Sequence, residues 1–346
     1  MTIKGIWDWI EKNVEYAKES SEKYAGKIVP MDILGIIYQT RYTPRLRAYK
    51  KIDPYVEEID ERDVDCKWLG IIVERLIKWI RDFKIIPLFV YDGPVNPMKL
   101  KTLEKRNEGY VKVQERINEM RNNYEKGRKL LISAEDKNTL RGLLVRNHLV
   151  PTESKKRFKK FFEKIGIPSI TVEGDAERFC ALMANKLGTA VMSKDGDCLA
   201  HGARKMILAN EIIYEGLKKI DAFKIIKLRD VLLKMDLTYK EFLDVCIMSG
   251  TDYNENIKGV AFGKSLGLIK KYGSIENLPG YLGKIELDTA ILNYENVRKE
   301  FEKIDPLTLI IEGKMETNFD KDKITSAFLK YELDDHLPMF LRAIKI

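Results

Sequence analysis

Residues 171–203 carry four carboxylates in two i, i+2 pairs, Asp175 with Glu177 and Asp195 with Asp197, and a helical stretch separates the pairs. The first pair opens that helix. The second follows the short apolar run 189–192, at a turn. In a parallel α/β sheet the carboxyl ends of strands and the amino ends of neighbouring helices share one rim. Both pairs are therefore expected on the same rim. Carboxylates gathered at one point repel one another unless a cation lies between them, and an all-oxygen ligand set selects Mg²⁺ or Mn²⁺. Taken alone, the same residues also describe a hairpin turn at Asp195-Gly196 and an acid favoured by the helix dipole at Asp175.

Three more acids occupy matching places. Asp32 follows the apolar run 27–31, Asp92 follows 85–91, and Asp252 lies just past a helix expected over 239–248. Pro30 sits awkwardly in the first of these runs, because proline removes a ladder donor. Apolar residues recur at helical spacing over 65–83, and helices are also expected over 7–16 and 152–165. Residues 41–64, with Pro44 and Pro54, read as an irregular surface excursion. Residues 206–208 and 212–214 read as short edge strands, 221–235 as a strand followed by a helix, and the chain beyond Ser274 as mostly helical.

Charge is unevenly placed. The chain of 346 residues has a net charge of +8, yet residues 97–160 hold eighteen Lys and Arg against eight Asp and Glu, and the remainder is near balance. A one-signed segment of this kind suits a nucleic-acid contact surface. Within it Tyr110, Val113, Ile117, Met120 and Tyr124 form a narrow 3-4 seam, interrupted by Gly127 and followed by a second apolar stretch at 140–145. The pattern reads as a basic helical hairpin, the alternative being a coiled-coil partner site. Cys66, Cys180, Cys198 and Cys246 lack zinc or secreted-scaffold spacing, which fits reduced thiols and an intracellular protein. His148, His201 and His336 are scattered, which argues against zinc or histidine-triad chemistry. No apolar run reaches membrane-spanning length, and the amino terminus reads as an amphipathic helix and not as a signal peptide.

Five stretches in order resemble the flap endonuclease family of structure-specific 5′ nucleases, in the XPG/Rad2-like superfamily. They are KIVPMDILGIIYQ, PLFVYDGPVNPMKLKTLEKR, EGDAERFCALM, SKDGDCLAHG and FLDVCIMSGTDYNENIKGVAFGKSLGLIKKYGSIENL. The resemblance implies a single PIN-like α/β nuclease domain over 1–346. Its mostly parallel central sheet would be flanked by helices, with a helical arch at 97–150 and a helix-two-turn-helix DNA-binding element at 250–278. It further implies two Mg²⁺, replaceable by Mn²⁺: one held by Asp32, Asp92, Asp175 and Glu177, the other by Asp195, Asp197 and Asp252. Lys99 and Arg106 match the pair that reaches the scissile phosphate, and Tyr38 an aromatic stacking near the cleaved nucleotide. Gly259, Lys264 and Lys258 fall where DNA phosphate is met. Asn256, Ile257 and Val260 fall where carbonyls hold a monovalent cation such as K⁺.

The implied activity is flap endonuclease or 5′→3′ exonuclease action on DNA with flaps, nicks or ends, by a monomer, in replication, repair or recombination. The 83 positions from Asp92 to Asp175 leave room for a full arch. The chain departs from the family pattern at Thr2, where glycine is usual, at Asp175, where glutamate is usual, and at Ala261-Phe262, where glycine-proline is common. No glutamine-led, aromatic-ended peptide stands at the carboxyl end, which argues against sliding-clamp recruitment. Two other functions are consistent with these residues: a catalytically inactive DNA-structure-binding scaffold, and an RNA-directed 5′ exonuclease.

Overall fold

The computed structural model describes residues 3–127, 131–147, 149–215 and 218–345. Thr2 and His148 lie outside them. The chain divides into two compact units, one of residues 1–35, 82–102 and 168–316, the other of residues 36–81, 103–167 and 317–346.

The first unit is built on one eight-stranded sheet, in the order β1-β7-β6-β5-β2-β3-β4-β10. Its strands are β1 (Ala17–Ser20), β2 (Ile28–Asp32), β3 (Ile86–Tyr91), β4 (Ser169–Val172), β5 (Val191–Met192), β6 (Lys205–Glu215), β7 (Lys218–Lys227) and β10 (Ile310–Lys314). β8 (Tyr281–Leu282) and β9 (Ile285–Glu286) form a separate pair. From β6 through β4 the neighbours are parallel, and both margins are antiparallel. The parallel strands β2 and β3 are nearly continuous apolar runs, as burial on both faces requires. Pro30 is tolerated in β2 because the short β5 pairs with that strand only at Met31.

Helices α1 (Ile6–Asn13), α7 (Ala176–Lys186), α8 (Asp197–Ala200), α9 (Leu228–Met235), α10 (Tyr239–Ser249), α11 (Phe262–Tyr272) and α12 (Tyr294–Glu300) belong to this unit. They share one apolar core with the sheet, including Ile6, Val90, Phe179, Leu199, Val245 and Ile269. α10 begins with a reciprocal capping box between Thr238 and Glu241, which satisfies two of the donors that a helix start leaves orphaned.

The second unit holds α3 (Glu61–Arg81), α5 (Ala134–Arg146), α6 (Thr152–Lys164), α13 (Lys321–Lys330), α14 (Leu337–Ile344) and most of α2 (Ile33–Tyr49) and α4 (Leu100–Glu125). The seam read from the sequence is partly buried here, with Ile117 at its centre. Ile117, Leu140 and Leu144 pack with Tyr49, Tyr55 and Val64, and Val113, Met120 and Tyr124 lie against them.

Three expectations are corrected. α2 runs through Pro44 to Tyr49 where an irregular excursion was expected. Proline removes an interior helix bond, yet the helix continues past it with two arginines on its buried side. Arg41 and Arg45 are each 4% exposed, Arg41 stacks on Trp68 at 4.7 Å, and Arg45 Nη1 bonds both Glu61 oxygens at 2.7 Å. Next, residues 205–215 form one long strand with a bulge after Ile207, paired along its length with β7. Finally, the segment beyond Ser274 includes β10, which adds an edge to β4. Gly313 has φ 106° there, and a Cβ would lie 2.1 Å from the Ser169 carbonyl oxygen, so the strand needs glycine at this point.

Candidate metal and nucleic-acid site

Asp32 ends β2, and Asp92 follows β3 directly. Two backbone amides hold the Asp32 carboxylate: Leu34 N donates to Oδ1 at 2.9 Å and Gly35 N to Oδ2 at 3.0 Å. Asp92 Oδ1 accepts from Ala176 N at 2.8 Å, which ties the end of β3 to the start of α7. Asp175 stands at the N-cap of α7, and Glu177 lies in its first turn. Asp195 Oδ1 accepts from Asp197 N at 3.1 Å, and Asp195 N donates to Ser193 Oγ at 3.0 Å. Asp197 opens α8, and Asp252 follows α10; they are 3% and 9% exposed. All seven acids thus belong to the first unit.

Their electrostatics show which of them crowd together. Burial, then the charges of Asp92 and Asp195, push the Asp32 carboxyl well above the usual range. Burial and the charges of Asp32, Asp92 and Asp195 push Glu177 in the same direction, with Lys99 opposing. Asp32, Asp92, Glu177 and Asp195 are therefore one repelling cluster, which brings Asp195 beside acids of the other expected set. Among the described residues no group of three acids is arranged as a formed metal cage. The charge and the all-oxygen donor set nevertheless fit a hard divalent cation, which can take the place of the protons that the raised Asp32 and Glu177 carboxyls otherwise retain.

Lys99 closes the short turn Pro97–Lys99, one residue before the start of α4. Its Nζ stands 2.8 Å from Asp175 Oδ1 and 4.9 Å from the centre of the Tyr253 ring. Burial would lower its pKa, but Asp175 and Glu177 outweigh burial and hold the ammonium protonated. Tyr253 was not singled out from the sequence. Its hydroxyl donates to Asp175 Oδ2, and burial together with Asp175 keeps the phenol protonated. Its position directly after Asp252 was the available signal, although its partner lies 78 positions away. The first turn of α4 is fixed to the same loop: Thr102 Oγ1 donates to the Asp252 carbonyl at 3.0 Å, and Lys101 Nζ to Glu255 Oε2 at 3.2 Å.

Tyr38 and Arg106 belong to the second unit. Tyr38 is 44% exposed, so it is not a core residue, and Lys155 Nζ lies 5.6 Å above its ring. Arg106 is exposed on α4. The four cysteines are buried and free. Burial holds His201 neutral, and it packs against Phe301 at 4.6 Å between ring centres.

Between α10 and α11 the chain turns through Gly259, at φ 80°. Lys264 Nζ donates to the Gly259 carbonyl at 2.8 Å, and Lys258 is exposed. No side chain caps the start of α11 at Ala261, so its first amides are available to an anion. Asn256 Nδ2 donates to the carbonyls of Ile257 and Val260, each at 3.2 Å. Phe262 is buried, 6.4 Å from Trp9 between ring centres.

Among the described residues no helix is long and apolar enough to cross a membrane. The XPG N-terminal domain matches residues 1–112, and the XPG I-region matches residues 166–252. Flap endonuclease 1 of Theileria parva is 26% identical over 337 residues, covering 94% of this chain and 64% of that protein. This chain therefore spans just under two thirds of that relative. Flap endonuclease-1 from Methanococcus jannaschii shares the fold at a TM-score of 0.61 and 20% identity, over 97% of this chain and 98% of that one. The catalytic core of Rad2, solved in complex with a DNA substrate, does so at 0.55 and 18% identity, over 97% and 99%. Two family domains that together match more than half of the chain, set on this fold, identify it: the protein belongs to the XPG/Rad2 family, which includes the flap endonucleases.

Proposed function

We propose that this protein is a Mg²⁺-dependent, structure-specific 5′ nuclease that cuts DNA near the junction of a single-stranded 5′ flap and a duplex. The observation that carries this reading is the cluster of Asp32, Asp92, Glu177 and Asp195, whose mutual repulsion favours a bound cation, with the charged Lys99 on the neighbouring Asp175. Asp32, Asp92, Asp175 and Glu177 would hold one divalent ion, and Asp195, Asp197 and Asp252 the other. Two such ions, when bound, polarise the phosphodiester and make a water-derived nucleophile available near neutral pH.

The protein's own groups do the rest. Amides at Leu34, Gly35 and Ala176 fix the carboxylates before substrate arrives, so little reorganisation is needed on binding. Lys99 carries a permanent charge and is placed to stabilise negative charge developing on the phosphate. Tyr253 holds Asp175 on its other side and keeps that carboxylate oriented. Gly259, Lys258, Lys264 and the open start of α11 would meet duplex backbone. Contacts of that kind read DNA shape and not base identity. α4 and α5, with the basic excess around them, supply the arch through which a 5′ end would be handled, with Tyr38 and Arg106 assigned to the nucleotide and phosphate at the cut. The proposed partner is DNA with flaps, nicks or ends, bound by a monomer inside the cell.

The test is cleavage of an end-labelled 5′-flap DNA with Mg²⁺, beside nicked, blunt and single-stranded RNA substrates, with Asp195→Ala as control. One product near the flap junction, absent with the variant, supports the reading. Mononucleotides from nicked or blunt duplex would shift it to 5′→3′ exonuclease, and cleavage of RNA alone to an RNA-directed enzyme. Tight DNA binding without cleavage in Mg²⁺ or Mn²⁺ would leave a scaffold.

A further inference from the structure

In the turn between α10 and α11 a carboxamide donates to the carbonyls that the family resemblance assigns to a monovalent ion. Such an ion needs carbonyl lone pairs aimed at a common point. Two of the three carbonyls expected to provide them, Ile257 O and Val260 O, each accept from Asn256 Nδ2 at 3.2 Å. The amide group therefore stands between them. At the other end of the same carboxamide, Asn256 Oδ1 accepts from the Lys4 ammonium at 3.2 Å. Only this orientation works: the flipped amide would set its oxygen against two carbonyls and its NH₂ against an ammonium.

The amino-terminal segment is fastened in the same place. Gly5 has φ 81°, and a Cβ there would come within 2.9 Å of Phe262 Cβ. Glycine lets residue 5 lie against the first residue of α11, which also packs near Trp9. Lys4 is nevertheless exposed to solvent. A cleft of about 350 Å³ opens beside it, and its lining includes Lys4, Asp8, Lys12, Asn256, Ala261 and Phe262.

We propose that Lys4 is a built-in cation for this element: through the Asn256 carboxamide its ammonium replaces a bound monovalent metal ion, and it offers its charge directly to a DNA phosphate at the start of α11. An ammonium with three donors can hold the carboxamide and still contact an anion. The arrangement also gives Phe262 a role, since its side chain roots the segment that carries Lys4. This inference rests on the DNA-binding reading of residues 250–278, and it makes DNA binding indifferent to the choice of monovalent cation.

The experiment is fluorescence anisotropy of the full chain on a labelled nicked flap duplex, with divalent ions removed by tetramethylammonium EDTA. KCl, NaCl and tetramethylammonium chloride are compared at equal concentration. The expected Kd agrees within about twofold across the three salts, because no ion is bound specifically, while Lys4→Met weakens binding about fivefold in each and lowers the slope of log K against log salt by about 1. Thermal melting confirms that Lys4→Met, a change at an exposed side chain, is folded. The double variant Lys4→Met with Asn256→Ser frees the carbonyls, and its binding is expected to become tighter in KCl than in tetramethylammonium chloride. Several-fold weaker binding by the parent chain when K⁺ is replaced overturns the proposal alone, as does a Lys4→Met variant that binds like the parent. Absence of binding in every salt, KCl included, overturns the DNA-binding reading and the proposal with it.

Discussion

Lys99 illustrates how one side chain can be fixed by opposing effects. Burial disfavours an ammonium, but two neighbouring carboxylates reverse the balance, and it remains charged at every pH relevant to catalysis. Its proposed role is to stabilise charge that develops only as the phosphodiester breaks. Lys99→Met is therefore expected to lower the single-turnover cleavage rate by about 10²–10³, the size seen when one preorganised donor is lost. DNA affinity should change by only a few-fold; an equal loss in binding and rate would assign Lys99 to ground-state binding. Tyr253 acts one step away, by holding Asp175. Tyr253→Phe keeps the ring beneath Lys99 and removes one hydrogen bond to a charged acceptor, about 1.5–3 kcal/mol. The expected result is a weaker apparent Mg²⁺ affinity with an unchanged maximal rate at saturating Mg²⁺. A reduced maximal rate at saturation would show that Tyr253 acts on the reaction itself.

At the level of elements, the hairpin of α4 and α5 depends on a thin seam. α4 buries only Ile117 completely along its 26 residues, and that side chain joins α5 and the end of α2 through Leu140, Leu144 and Tyr49. Ile117→Ala should cost about 2–4 kcal/mol, by lost transfer energy and the cavity left behind. The effect should appear as faster amide exchange in α5 while the sheet of the first unit stays protected. Equal protection in α5 before and after the change would mean that the seam does not hold the hairpin. The seam was legible in the sequence as 3-4 spacing. That it closes on α2 was not, because Pro44 and Pro54 read as marks of an irregular excursion over 41–64, and the contacts of Arg41 with Trp68 and of Arg45 with Glu61 join residues apart in sequence. β10 was hidden for a related reason: its residues are mostly exposed, so they lack the apolar alternation that marks a half-buried strand.

For the whole molecule, the acid cluster couples stability to pH and to divalent ions. Asp32 has its folded pKa raised to about 8, and Glu177 is raised as well. A carboxyl raised on folding binds more protons in the folded state than in the unfolded one. Its contribution is fully present below the unfolded value of about 4 and is lost as pH rises through the folded value. In EDTA the Tm is therefore expected to fall between pH 5 and pH 8. Mg²⁺ binds the deprotonated carboxylates of the folded state alone, so it should raise Tm more at pH 8 than at pH 5. Melting curves with EDTA or Mg²⁺ across that range check this, and a Tm at pH 8 that ignores Mg²⁺ would count against a metal site here.

The sequence by itself determined the α/β class, the position of all seven acids at the ends of strands and helices, and the one-signed charge of residues 97–160. Each follows from local pattern: apolar runs ending in acids, helical spacing, and the sum of charges along a segment. Only the tertiary structure decided which acids crowd one another, that Asp195 sides with Asp32, Asp92 and Glu177, that Tyr253 and Lys99 share Asp175, and that Lys4 reaches Asn256 across 252 positions. Those pairings join residues far apart in the chain. They are set by strand order and by the burial that shifts protons, and neither is encoded in local spacing.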